Sequence, residues 1–468
     1  SGWVELLLGR DQKAAQRAFE KAAGKGYPDA YLGRVAILEA RHEASEMRVV
    51  AKEVSTSNVR LVPAHVAAIK AAIADREWEA AGQTIANALL VQEDSVYLLF
   101  LQAVHAVVYK GRDVEKSLAD LSTAFDAVEK ANDSLAYSYS AFFSRIALKN
   151  GFVSQLARKM LERALAVNRD KTTYAVLAFR LLVAVGDERE ANDRAKKLLE
   201  SDSDQPLALL SVVVANLMSG KVRDAQSQLS FAKEAHPQLN NSPWFLFLDA
   251  VCARNSGTHN AFDRFLTGCK VAVTEQLALL QGMPYGIDAI FTLDVDFLVG
   301  IVYQLMDYAP VTPTKANDQV LKEVDRVLST INSYCPGLAE VNYLLARCSW
   351  LQYETDRAER LIETLVNSNE ATAEAFLLKA QMKIDKGRIE EAEVALDTGL
   401  SFSFAVRDSP LFHLIKARVL KRRNEHERAI EGLRQALSSP EKEAGSNLLQ
   451  RREKDDGHRI SLYLELID

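Results

Sequence analysis

Ala157-x3-Leu161-x2-Ala164, Ala191-x3-Ala195-x2-Leu198 and Ala225-x3-Leu229-x2-Ala232 repeat one pattern, with their first alanines 34 residues apart each time. A second run keeps the interval: Ala358-x3-Ile362-x2-Leu365 is followed 34 residues later by Ala392-x3-Leu396-x2-Gly399. Positions i, i+4 and i+7 fall on one face of a helix. The small residues of each triplet let a neighbouring helix approach closely, and the large one fills the gap between repeats. Self-similarity at such a period marks a solenoid, in which each unit buries its apolar face only by stacking on the next.

Thirty-four residues is the length of the tetratricopeptide (TPR) repeat, a helix–turn–helix unit. The expected fold is therefore all-α: a TPR-type α-solenoid, a right-handed superhelix of antiparallel helix pairs. Ala15-Phe19-Ala22, Ala81-Ile85-Ala88, Ser117-Leu121-Ala124, Ala261-Phe265-Gly268 and Ala429-Leu433-Ala436 keep the same spacing. Gly9, Gly111, Gly151, Gly186, Gly220 and Gly387 precede the second helices, where a glycine ends the first helix of a pair. Pro28, Pro237 and Pro440 follow second helices, as a turn between repeats favours. Strand alternation is not sustained anywhere.

These signals divide the chain into an N-terminal TPR array at 1–277, an irregular helical segment with loops at 278–336, and a regular array at 337–440. In the first array the pair at 28–58 reads as degenerate, with Ser45, Val49 and Lys52 in the signature slots. In the irregular segment, 288–308 reads as one apolar helix, 309–316 as a linker and 317–333 as a further helix. The polar stretch 441–458 reads as a mobile loop, and 459–468 as the first helix of a truncated next repeat with no partner in this chain. Ser1-Gly2 reads as a tag-cleavage scar, and the chain is expected to be a fragment of a longer protein.

Composition sets further bounds. The chain is 48% hydrophobic and 26% charged, with a net charge of −6 over 468 residues. That balance is globular, and too weak to argue for nucleic acid or a bulk membrane surface as partner. The longest apolar runs, Val96–Tyr109 and Leu207–Met218, fall short of the roughly 20 residues a membrane span needs. Cys252, Cys269, Cys335 and Cys348 show no C-x-x-C pairing and read as buried thiols in a reducing compartment.

No chemistry-bearing motif is present. Ser219-Gly-Lys221 is an inter-helix turn outside any G-x-x-x-x-G-K-[ST] loop, and neither G-x-S-x-G nor H-E-x-x-H occurs. His65, His105 and His413 lie within expected helices and read as packed or hydrogen-bonded. Asp294 and Asp296 read as helix-start acids. No catalytic residue, cofactor or metal is expected. The candidate partner contacts are the basic stretch Lys416, Arg418, Lys421, Arg422 and Arg423, whose plainer reading is a solvated helix face, together with Trp350 and Tyr353 near an inter-helix turn.

From about residue 288 onward the sequence carries more specific strings. They are Thr292-Leu-Asp-Val-Asp-Phe-Leu298, Cys335-Pro-Gly337, Asn342-Tyr-Leu-Leu-Ala346, Val406-Arg-Asp-Ser-Pro-Leu-Phe-His-Leu-Ile-Lys-Ala417 and Ile460-Ser-Leu-Tyr-Leu-Glu-Leu-Ile-Asp468. These resemble the large TPR subunit of intraflagellar transport complex A, the retrograde complex of cilia and flagella. Little of Val406–Ala417 lies at signature packing positions, so the TPR pattern alone does not demand it. The resemblance implies a non-catalytic scaffold in cytoplasm and cilium, partnered by WD40-TPR subunits of that complex and handling ciliary membrane cargo. Two alternatives stand beside it: a cochaperone-type TPR peptide receptor or adaptor, and the TPR targeting arm of a larger enzyme. The first would grip a carboxylate with Lys, Asn and Arg on three adjacent first helices, and 96–109 and 207–219 offer almost no such side chains.

Overall fold

The computed structural model describes residues 2–8, 11–25, 27–58, 60–110, 114–127, 133–148, 150–168, 171–201, 205–255, 259–315, 318–368, 371–438, 449 and 461–466. Among them every regular element is helical, most of them in antiparallel pairs, and no strand occurs. The all-α solenoid expected from the 34-residue period is the fold observed. No helix among the described residues is long and apolar enough to cross a membrane.

The signature triplets form the seams between helices. Ala157, Ala191, Ala225, Ala358 and Ala392 are all 0% exposed, and Leu161, Ala195, Leu229, Ile362 and Leu396 are buried with them. Gly268 shows why the slots are small: a Cβ there would lie 2.6 Å from the Cβ of Ala250 on the paired helix. Ala44–Ser57 differs from the expected reading. Val49 is exposed, and the buried stripe is Met47, Ala51 and Val54, the same spacing two residues further on. A large sulphur-containing side chain has taken the first small slot, which hid the register.

The turn inside a pair has a fixed conformation. Gly186, Gly220 and Gly387 adopt φ of 81°, 70° and 74°, each two residues before a second helix begins. This left-handed region favours glycine because it has no Cβ. Elsewhere the same slot is filled by His42, Arg76, Tyr353 and Asn424, with φ between 61° and 64°. Gly151 does not play this part. It opens the helix Gly151–Val167, Asn150 caps that helix by accepting from the N–H groups of Phe152 and Val153, and Leu148 carries the positive φ. Gly9, Gly111, Pro440 and the expected loop at 441–458, apart from Leu449, lie outside the described residues.

Contacts divide the chain into two compact units. The first is Ser1–Ala131 with Leu279–Leu293. It holds the helices Gly2–Leu7 and Gln12–Ala23, Pro28–Ala40 and Ala44–Ser57, Val62–Ala74 and Trp78–Val91, then Val96–His105, prolonged by a π-helical turn Ala106–Lys110, and Val114–Ala127. The short helix Ile287–Thr292 packs on Val62–Ala74. Phe291 meets Phe100 edge-on at 5.6 Å, and the Arg76 guanidinium lies 3.9 Å from the Tyr285 ring centroid. His105 lies 2.8 Å from the Trp78 carbonyl oxygen through its Nε2.

The second unit is Asn132–Ala278 with Asp294–Asp468. Its pairs are Asp133–Ile146 and Gly151–Val167, Thr172–Val185 and Glu188–Ser201, Pro206–Met218 and Val222–Ala235, and Pro243–Arg254 and Ala261–Ala278. After the single helices Val295–Met306 and Gln319–Tyr334 come Ala339–Leu351 and Thr355–Val366, Ala373–Asp385 and Ile389–Phe402, and Pro410–Arg422 and His426–Ser438. The apolar stretch expected as one helix at 288–308 is two, broken at Leu293, and the two halves belong to different units. Asp294 causes the restart, because its carboxylate caps the second half by accepting from the Phe297 N–H at 3.1 Å. The linker is tied down where the Thr314 N–H donates to the Leu351 carbonyl at 2.9 Å.

Candidate functional site: a groove around Val295–Met306

Ten of the twelve residues in Val295–Met306 are buried. A helix apolar on all sides must be surrounded, and this one packs against Asp133–Ile146, Ala261–Ala278 and Gln319–Tyr334. Phe297 reaches Pro243–Arg254, with its ring centroid 4.5 Å from Trp244 and 5.7 Å from Phe247.

A buried ion pair fixes the start of this helix. Arg180 Nη1 and Nη2 donate to Asp294 Oδ2 and Oδ1, both at 2.6 Å, and Asp296 Oδ2 stands 3.8 Å from Nη2. Burial alone would lower the Arg180 pKa, but the charge and hydrogen bonds of Asp294, aided by Asp296, hold it well above the ordinary value. The two-pronged geometry suits guanidinium against carboxylate. Asp294 is thus a helix-start acid, as its position suggested, and also the partner of a side chain 114 residues away.

Beside this pair lies a cavity of about 810 Å³. Its walls are apolar where Leu181, Val214, Trp244, Phe247 and Phe297 line it, and charged where Arg158, Arg180, Glu188 and Asp296 do. Leu449 also lines it. Val185 stands on its rim, 61% exposed. A large, mainly apolar cavity with a few polar groups has the character of a binding site. The first unit holds a second cavity of about 690 Å³, between Glu39, Lys70 and Met283–Asp288.

The structure separates the candidate contact residues. Trp350 is 5% exposed, and its indole N–H donates to Asp385 Oδ2 at 2.8 Å. It joins consecutive repeats, and burial removes it from a partner's reach. Tyr353 is half-exposed, with Lys315 Nζ 5.7 Å from its ring centroid. Arg418 Nε and Lys421 Nζ both bind Glu465, at 3.0 and 3.4 Å. Arg423 forks onto Glu393, with Nη1 donating to Oε1 at 3.1 Å. Lys416 and Arg422 are exposed and form no ion pair with another described residue. Residues 461–466 are helical and do have a partner: Leu462 is buried among Leu414, Ala417, Ala429 and Leu433.

All four cysteines are buried. Burial pushes the thiols of Cys252, Cys335 and Cys348 up to about 12, and that of Cys269 higher still. None has the depressed pKa of a nucleophile. Among the described residues no group of three or more His, Cys, Asp and Glu side chains converges as a metal site.

Comparison with known proteins extends the likeness beyond the C-terminal strings. Residues 116–387 match the family model of the tetratricopeptide repeat protein 21 second ARM domain. Residues 1–82 match that family's N-terminal ARM repeat, and 404–468, which include the Val406–Ala417 string, its ARM repeat. The tetratricopeptide repeat protein 21 homologs of Caenorhabditis briggsae and Caenorhabditis elegans are each 36% identical over all of this chain, and human tetratricopeptide repeat protein 21B is 28% identical. The chain spans 35% of the length of the nematode proteins and 36% of the human one. A solved structure, the APC/C hetero-tetramer Cut9-Hcn1, covers 96% of this chain and 94% of its own at 12% identity and a TM-score of 0.44. With the family model matched over more than half its length, and with relatives aligned along all of it, the chain belongs to the tetratricopeptide repeat protein 21 family.

Proposed function

We propose that this chain is part of a non-catalytic protein-interaction scaffold, a subunit of intraflagellar transport complex A acting in retrograde ciliary transport and ciliary membrane-protein trafficking. One observation carries the reading. The Val406–Ala417 string, which resembles the large TPR subunit of that complex, sits in a chain related to tetratricopeptide repeat protein 21 along its whole length. The proposed partners are the WD40-TPR subunits, and the proposed location is cytoplasm and cilium. The mechanism is extended contact along helix faces, where interfaces in permanent assemblies can exceed roughly 2,000 Å². Lys416, Arg422 and Tyr353 are the proposed contact residues among those read from the sequence, since they remain exposed.

Affinity purification of the full-length protein from ciliated cells, with mass spectrometry of what co-purifies, tests this. The expected result is a stoichiometric set of WD40-TPR ciliary transport subunits, with one subunit weakened by Lys416→Glu/Arg422→Glu. Recovery of chaperones alone, or of no ciliary protein, would overturn the reading.

A further inference from the structure

The cavity of the first unit lies between the turn joining Pro28–Ala40 to Ala44–Ser57, the end of Val62–Ala74, and the segment 283–288. Five carboxylates line it, those of Glu39, Glu43, Glu46, Asp75 and Asp288, against the ammonium of Lys70 and the imidazole of His42. Lys70 Nζ is taken by Glu39, at 3.0 Å. Two further cations on these elements are also engaged: Arg48 is paired with Glu77, and Arg76 lies over the Tyr285 ring. Glu43, Glu46, Asp75 and Asp288 form no ion pair with another described residue. We propose that this cavity is a docking site for a basic segment of a partner protein, which sets a lysine or arginine between these carboxylates and an adjacent apolar side chain on the cavity floor.

Size, charge and walls support this. The volume of about 690 Å³ falls within the roughly 300–1,000 Å³ usual for ligand pockets. A concave site lined by one sign of charge over apolar walls focuses the field and attracts the opposite charge. The apolar walls here are Leu38, Met47, Ala74, Met283 and Ile287. Met47 is buried and Met283 half-buried, and such flexible thioethers adjust their shape to an occupant. Lys70 registers the field of the site. Burial would lower its pKa, yet the hydrogen bond and charge of Glu39, with Tyr97 and Asp288 behind them, hold it above the ordinary value. The carboxylates ring the cavity without converging, and among the described residues no group of three or more His, Cys, Asp and Glu could hold a metal ion. A lysine or arginine on a flexible stem, with several donors, needs no such convergence. The inference does not rest on the transport reading, since it names the chemistry of a partner and not an assembly.

The test measures fluorescence anisotropy of a labelled peptide, Gly-Lys-Leu-Arg-Leu-Lys-Gly, added to versions of the 468-residue chain. The versions are the unaltered chain, Glu46→Lys/Asp288→Lys, the milder Glu46→Gln/Asp288→Asn, and Glu427→Lys/Glu431→Lys in the second unit. All four positions are exposed, and circular dichroism checks that each version is folded. Glu46→Lys/Asp288→Lys is expected to weaken binding at least about tenfold, since it sets like charges against the peptide. Glu46→Gln/Asp288→Asn is expected to weaken it by less, and Glu427→Lys/Glu431→Lys, with the same change in net charge as the first pair, to leave it nearly unchanged. A peptide with glycine for both leucines is expected to bind more weakly to the unaltered chain. No binding by the unaltered chain would overturn the proposal, as would binding that neither pair at the cavity weakens. An equal loss from Glu427→Lys/Glu431→Lys, or equal binding of the glycine peptide, would also overturn it by reducing the effect to diffuse attraction of charge.

Discussion

Arg180 is the only charged side chain in the helix Thr172–Val185, whose sequence TTYAVLAFRLLVAV is otherwise apolar but for its two threonines and a tyrosine. A lone guanidinium in such a helix needs a carboxylate, because burying it unpaired costs far more than the pair returns. Arg180→Ala would strand Asp294, which is 9% exposed, and is expected to destabilise the second unit by about 3 kcal/mol. Urea unfolding followed by Trp244 fluorescence would measure it. Arg180→Met with Asp294→Asn is expected to recover most of the loss, since the more deeply buried carboxylate is neutralised with its partner and asparagine still caps the helix. A single variant within 1 kcal/mol of the unaltered chain would show that water reaches the carboxylate. Arg180 carried a signal that the sequence could have yielded, namely a charge isolated among apolar neighbours. Its partner was not legible, because periodicity relates residues a few turns apart and this pair spans 114. Trp350, which lies near a turn, reads from sequence as a packing residue before it reads as a contact, and its indole N–H does bond to Asp385 of the next repeat.

At the scale of elements, regular repeats were legible wherever small residues hold the signature slots, and obscured where they do not. Ala157, Ala191 and Ala225 announce their helices because close approach requires them, whereas Met47 fills the equivalent place by its flexibility. The break at Leu293 carried a signal in Asp294, which already read as a helix-start acid, but the apolar residues on both sides of it masked the interruption. The helix Pro410–Arg422 carries a pH-dependent group. Burial lowers the His413 pKa from its ordinary 6.5, and the charges of Lys416 and Arg407 add to this against a backbone hydrogen bond to Arg407 and the charge of Asp408. Below pH 6.5 the unfolded chain therefore binds a proton that the folded chain resists, and stability falls as pH drops from 6.5 towards the folded pKa. Thermal midpoints at pH 7.5 and 5.5 should show a fall that His413→Gln reduces. An NMR titration placing the His413 pKa at or above 6.5 would contradict the assignment.

For the whole molecule, the consequential fact is that the first unit is discontinuous in sequence. Residues 279–293 complete it, with Ile287, Ala289, Ile290 and Leu293 all buried. A fragment of residues 1–131 lacks these side chains and leaves Phe100 and Arg76 without Phe291 and Tyr285. It is expected to melt at a lower temperature than the same fragment supplied with a peptide of residues 279–293. Calorimetry of the two samples checks this, and identical melting would mean that the segment adds no stability. Repeat periodicity could not reveal this segment, since it belongs to no repeat and its partners are more than 150 residues earlier in the chain.

The four cysteines lead to a practical end. Buried, and with thiols held far above neutral pH, they should ignore maleimide at pH 7 while the fold is intact. A cysteine introduced at an exposed site such as Val394 would then take a spectroscopic dye alone, with every native thiol of this chain left in place. Pairs of such dyes could measure how far apart chosen repeats of this chain stand during assembly, with no cysteine-free background needed within it.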